Sequence, residues 1–205
     1  PLLSARAGDF AKSFIPNYPE IAPRIPDEGN NELLLFPCVL KWIQIDDGID
    51  ASSTCCEEAC KMIFGLEENG LTVADMTILV DNRELGAKIE QKLKKNNIKS
   101  TTTFSIDSKE EQRKKRRFYM GSPMVKITTI HSFKGWESRA LILYVKKANS
   151  DRDKALIYTA MTRLKRNDQC CFLTVICNAP NLKSYGKTWK GDYMEISSHV
   201  NKNKV

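Results

Sequence analysis

Two stretches of this chain carry residues whose types and spacing could do chemistry: Ile127–Glu137, ITTIHSFKGWE, and Tyr158–Arg166, YTAMTRLKR. In the first, Thr129, His131 and Ser132 supply short side-chain donors, with Lys134 in the same turn. Backbone N–H groups of such a turn add to them, and the set suits phosphate and sugar contacts that position a strand without reading its sequence. Gly135 permits a positive φ and close backbone approach. Glu137 has a carboxylate that could accept from ribose hydroxyls. In the second stretch, Arg163 lies near the end of a basic segment. An arginine carried to a γ-phosphate stabilises phosphoryl transfer, worth on the order of 10³–10⁵ in rate. Plainer readings stand beside these. The first stretch could be a strand end with a surface histidine and lysine and a turn glycine. Lys165 and Arg166 could simply complement a helix dipole. The 205 residues contain no G-x-x-x-x-G-K-[ST], the phosphate-cradling loop that phosphoryl chemistry of this kind needs.

The elements that must position these residues can be read from periodicity. Leu3, Ala7, Phe10 and Phe14 recur at helical spacing and predict a helix over Leu2–Phe14. Pro16, Pro19, Pro23 and Pro26 impose an irregular connection over 15–31. Glu32–Ile45 is β-like but broken by Pro37. Ser52 or Ser53 is a candidate cap for a helix running to Glu68, closed by Asn69-Gly70. Met76–Val80 reads as a buried strand, Asn82 as the cap of a helix over Arg83–Asn96, and Ile98–Phe104 as the next strand. That strand–helix–strand unit is a building block of a parallel sheet. Residues 107–124 form a charged connection in which Glu110, Glu111 and the basic run Arg113–Arg117 could make a solvated helix turn or a mobile loop, and the basic run could touch a phosphate backbone. Val125–Ile130, Ala140–Val145 and Gln169–Cys177 are further β-like runs, with a helix over Asp151–Lys165 between the last two. The whole predicts a doubly wound α/β domain over 1–178 and a polar tail over 179–205. Ligands of such sheets sit beyond the carboxyl ends of the strands, where the turn His131–Glu137 is expected. In the tail, Tyr185, Trp189 and Tyr193 either pack back on the domain or anchor a protein partner.

Composition narrows the class. With 41% apolar and 28% charged residues, the chain is that of a folded domain. Its longest apolar runs are too short to span a membrane, which predicts no membrane partner. The formal charge of +7 is compatible with a polyanion. Seven cysteines without paired C-x-x-C spacing, and two histidines, argue against a metal site. Cys56 and Cys60 lie one helical turn apart, and Cys171 and Cys177 share a strand face, as buried free thiols would. A reducing, cytoplasmic setting follows. The start at Pro1, without Met, suggests a piece of something longer.

The order TTIHSFKGWE, about twenty residues, then YTAMTRLK resembles motifs V and VI of superfamily 1 helicases of the UvrD/Rep kind. The likeness extends more loosely to Met76–Asn97 and to Leu2–Phe14. It implies a three-layer RecA-like domain of P-loop NTPase type, with a mainly parallel sheet and helices on both faces. It also implies roles. Glu137, beside Gly135, would contact the ATP ribose. Thr129, His131, Ser132, Lys134 and Tyr158 would lie on the single-stranded DNA side, RNA not being excluded. Arg163 would be the catalytic arginine finger, braced by Tyr158 and Thr162, and no metal ligand is implied. ATP and Mg²⁺ would be held mainly by an N-terminal motor domain of the same protein, so the chain alone would be inactive. Departures are Trp136 where the family has Leu, Ala155 where it has a basic residue, and Asp81 where it has arginine. There is also no room in 107–124 for the large 2B insertion. They motivate an alternative: a non-catalytic nucleic-acid-binding module with a RecA-like fold.

Overall fold

The computed structural model describes residues 2–17, 38–105, 108–165 and 170–198. Most of the 15–31 connection, residues 32–37, and Arg166 to Gln169 lie outside the described residues. The apolar runs become strands of one sheet: β1 (Cys38–Ile45), β2 (Met76–Val80), β3 (Ser100–Thr102), β4 (Val125–Thr129), β5 (Ala140–Val145), β6 (Cys171–Cys177) and β7 (Tyr193–Ile196). Their order is β3-β4-β2-β5-β6-β1-β7, and each pairing is parallel. Central strands β2, β5 and β6 are buried along their whole length. That is why they read as unbroken apolar runs, since a parallel sheet is covered on both faces.

Alternate side chains feed two cores. On one face, Leu79, Leu141, Leu143, Leu173 and Val175 pack with Phe10 of α1 (Leu2–Phe14) and Ile157, Ala160 and Met161 of α5 (Asp151–Met161). On the other, Ile78, Val80, Ile127, Ile142 and Ile176 meet Cys55, Ala59 and Leu66 of α2 (Ala51–Glu68) and Ile89 and Leu93 of α3 (Arg83–Lys95). Beyond Ala179 the chain returns to the first core. Trp189 is fully buried and stacks edge-on against Trp42, with ring centroids 5.4 Å apart. Tyr185 donates to Arg6 O at 2.6 Å, and β7 pairs with β1. Gly186, in the short α6 (Lys183–Gly186), lies against the Trp42 indole so closely that any Cβ would strike it.

Four of the differences from the sequence expectation have a clear local reason. Helix α2 is capped by Asp50, whose carboxylate accepts from Ser52 N at 3.0 Å and from both serine hydroxyls. Those bonds, Ser52's first, hold its carboxyl well below the usual carboxylate range. Strand β3 starts two residues late because Ile98 N is committed to Leu93 O (2.9 Å), with Asn97 at φ 60 closing the helix. Residues 108–117, for which the sequence allows a helix turn or a mobile loop, form the ten-residue helix α4 (Ser108–Arg117). It is held by Glu111, which pairs with Lys115 one turn on (2.6 Å) and with Arg83 of α3 (2.7 Å). Helix α5 stops at Met161, because the residues after it are drawn into bonds with another segment.

Candidate functional site

That other segment is the connection between β4 and β5. Phe133 to Trp136 make a turn closed by Trp136 N to Phe133 O (3.0 Å). Lys134 has φ −58, ψ 126 and Gly135 φ +87, the conformation that places glycine third in a type II turn. The chain then runs to Ser138, which pairs with Leu164 as an isolated parallel bridge. Ser138 N donates to Arg163 O (3.0 Å), and Lys165 N donates to Ser138 O (2.7 Å). The buried Ser138 hydroxyl bonds Asp75 O, just before β2, at 2.7 Å, and Ala140 O at 3.0 Å. This seam is at the amino edge of β2 and β5. It fixes Glu137 and Arg163 as backbone neighbours of a single bridge.

The end of α5 orients Arg163 further. Its N–H bonds Ala160 O (3.1 Å), and its Nε donates to Thr159 O (3.4 Å). Thr162 closes the same turn through its hydroxyl to Thr159 O (2.9 Å). Among the described residues neither Arg163 nor Glu137 is in an ion pair. Arg163 is half-buried, Glu137 is exposed, and Trp136 is 39% exposed. An exposed carboxylate and an uncompensated guanidinium on one rigid seam can accept from hydroxyls and hold phosphate oxygens. Tyr158 is half-buried against the core face of α5.

At the opposite, carboxyl edge, Ile130 N bonds Val80 O (3.3 Å), ending β4 beside the end of β2. Thr129 and Ser132 bond each other: Ser132 N and the two hydroxyls meet at 3.3 and 3.0 Å. His131, Ser132 and Lys134 are exposed. The turn expected to lie wholly at the carboxyl edge is therefore divided. Thr129, His131 and Ser132 stay there, while Glu137 is carried down the sheet to Arg163. Beside His131 opens a cleft of about 210 Å³ whose lining includes Asp81, Tyr144, Lys146, Lys147 and Asp153. Asp153 serves mainly the start of α5, accepting from Ser150 N (3.1 Å) and Asn149 N (3.2 Å); those bonds keep its carboxyl low. Burial, with Asp81 nearby, holds the Tyr144 hydroxyl above its usual range.

Sequence reasoning missed Ser138, whose two hydroxyl bonds pin the seam, and the pair Lys146-Lys147. A lysine pair directly after the apolar run Ala140–Val145 was a legible signal, because it falls at the carboxyl end of a buried strand. Nothing local distinguished Ser138. Arg83, which stands near the position where an arginine was expected, is engaged by Glu111 instead. Among the described residues no three His, Cys, Asp or Glu side chains group to hold a metal ion, and no helix is long and apolar enough to cross a membrane.

No protein-family model and no curated protein sequence matches the chain. Solved structures do match. The C-terminal domain of a possible DNA helicase from Lactobacillus plantarum WCFS1 is similar over 93% of this chain and 94% of that one, with TM-score 0.54 and 14% identity. The C-terminal domain of S. cerevisiae Dbp5, solved with Gle1 and IP6, is similar over 78% of this chain and 90% of that one, with TM-score 0.50 and 14% identity. At these identities the likeness concerns the fold. The chain is an α/β domain with the RecA-like fold of helicase C-terminal domains.

Proposed function

We propose that the chain is the C-terminal motor half of an ATP-dependent DNA helicase or translocase of UvrD/Rep type. The observation that carries this reading is the seam, in which Ser138 bonds the backbone at Arg163 and Lys165 and so sets Glu137 and Arg163 on one edge. Glu137 accepts from the ribose hydroxyls of ATP. Arg163 reaches across a cleft to the phosphates and stabilises the charge that develops during their transfer. The chain has no phosphate loop, so the triphosphate, with the Mg²⁺ that neutralises its charge, is held by an N-terminal motor domain of the same protein. Thr129, His131, Ser132 and Lys134 grip the backbone of single-stranded DNA at the carboxyl edge, with Tyr158 coupling α5 to that side. In this proposal residues 1–178 carry the motor functions, the segment from 179 completes their core and sheet as far as β7, and the thiol pattern supports a reducing, cytoplasmic setting.

In the protein carrying both motor domains, Arg163→Ala lowers DNA-stimulated ATP turnover by about 10³ or more while ATP binding survives. Unchanged turnover removes Arg163 from the mechanism. The isolated chain turns over no ATP. The second reading, a non-catalytic nucleic-acid-binding module, is favoured by one observation: the 39% exposed Trp136 between Gly135 and Glu137. If Trp136 fills the ribose site, the two-domain protein binds nucleic acid but turns over no ATP.

A further inference from the structure

The charges of α4 are sorted in a way that neither edge of the sheet requires. Its ten residues, SKEEQRKKRR, contain six cations, two carboxylates and no apolar side chain. One carboxylate is turned to the protein and one is exposed: Glu111 bonds Arg83 of α3 as well as Lys115, while the exposed Glu110 accepts from Ser105 Oγ at 2.7 Å. Lys114 also turns inward, to Thr102 Oγ1 at 3.3 Å and Glu90 at 4.0 Å. Arg113 and Arg116 are exposed and, among the described residues, make no ion pair or hydrogen bond. They are three residues apart, on one face and about 4.5 Å apart along the axis. Like charges at that spacing repel, and a polyanion would relieve the repulsion.

The place of α4 gives the polyanion its class. Lys114 touches Thr102, which sits opposite Ile127 in the β3–β4 register, two residues and roughly 7 Å before Thr129. Thr103 and Thr128 share a hydroxyl hydrogen bond of 2.7 Å across the same strand ends. Helix α4 therefore lies beside the edge strand β3, next to the part of β4 that leads into the Thr129–Ser132 turn. We propose that α4 is a second nucleic-acid contact, in which Arg113 and Arg116 hold backbone phosphates that have passed the carboxyl-edge turn. The helix offers no apolar anchor for a protein partner, while guanidinium groups suit phosphate bidentately. This site rests on the proposed nucleic-acid reading of the neighbouring turn.

The test uses the full chain with Arg113→Gln and Arg116→Gln combined, single-stranded and duplex oligonucleotides, and salt from 50 to 200 mM. Both side chains are exposed, so the variant keeps its melting temperature. The log–log salt dependence of binding becomes shallower by about 1.4 if both phosphates belong to a single strand, or about 1.8 if to a duplex. Arg113→Lys with Arg116→Lys largely restores the slope. An unchanged slope in the glutamine variant, while the parent chain still binds, overturns the α4 site alone. A parent chain that binds neither oligonucleotide overturns the nucleic-acid reading itself. Loss of binding to poly-glutamate with oligonucleotide binding intact would assign α4 to an acidic protein instead, and the proposal would fall.

Discussion

The two edges of the sheet are held together by different means, although one ten-residue connection supplies both. At the amino edge, Ser138 joins the β4–β5 connection to the end of α5 through two backbone hydrogen bonds, and its buried hydroxyl donates toward Asp75 O and Ala140 O. At the carboxyl edge, one backbone bond, Ile130 N to Val80 O, joins the turn to β2, and the polar side chains of Thr129 and Ser132 add only exposed bonds within the turn. Backbone bonds anchored by a buried group fix geometry, whereas exposed side-chain bonds exchange with water at little cost. Positioning an arginine against a reacting phosphate requires the first kind of support. Contacting a strand that must be released and re-gripped is compatible with the second.

The largest effect on that contrast comes from Ser138→Ala. It removes the hydroxyl that donates to Asp75 O, with Ala140 O also in reach, and costs about 1–3 kcal/mol, measured by denaturant unfolding. An intact protein would show that the seam is set by packing alone.

The two edges also titrate in opposite directions. At the amino edge, burial lowers the Lys126 ammonium to about 8, although its Nζ reaches the carbonyls of Ala74, Ser122 and Met124. The unfolded chain binds more protons there between about pH 8 and the ordinary lysine value near 10.4, so this group makes stability rise with pH across that window. At the carboxyl end of β6, burial pushes the Cys177 thiol up to about 12. The unfolded thiol ionises first, so the stability it contributes is complete below about pH 8.5 and is lost as pH rises toward 12. Unfolding measured from pH 8 to 10 is therefore steeper in its loss for Lys126→Met and shallower for Cys177→Ala. The change is at most about 1.4 kcal/mol per pH unit for either. Parallel curves for both variants would refute the opposition.

The smallest stability effect is expected at the carboxyl edge. Thr129→Ala with Ser132→Ala should change folding by no more than about 0.5 kcal/mol, because both groups stay solvated. The same pair should weaken single-stranded DNA binding about tenfold, the worth of roughly one hydrogen bond. A stability loss as large as that of Ser138→Ala would erase the distinction between the edges.

Much of this was legible in the sequence. Met76–Val80 and Ala140–Val145 matched their strands residue for residue, since complete burial leaves an unbroken apolar run. Asn82 capped α3 as read, its side chain accepting from Leu85 N (2.9 Å). Gly135 took the positive φ its turn requires. What escaped depended on contacts distant in sequence. Nothing near residue 138 announces a partner at 163. Helix α4 has no apolar stripe, so its only local evidence was charge, and its anchor Arg83 lies 28 residues away. The segment after Ala179 read as polar because its core contribution rests on three residues, Leu182, Tyr185 and Trp189, spaced among solvated ones.

The central claim is that one edge serves the nucleotide and the other the nucleic acid. The most direct test compares Arg163→Ala with Thr129→Ala/Ser132→Ala in the protein carrying both motor domains, measuring DNA affinity and ATP turnover at saturating DNA. Arg163→Ala should abolish turnover and leave DNA affinity within about twofold, while the carboxyl-edge pair should weaken affinity and retain turnover once DNA saturates. Loss of DNA binding in Arg163→Ala, with turnover preserved, would contradict the account.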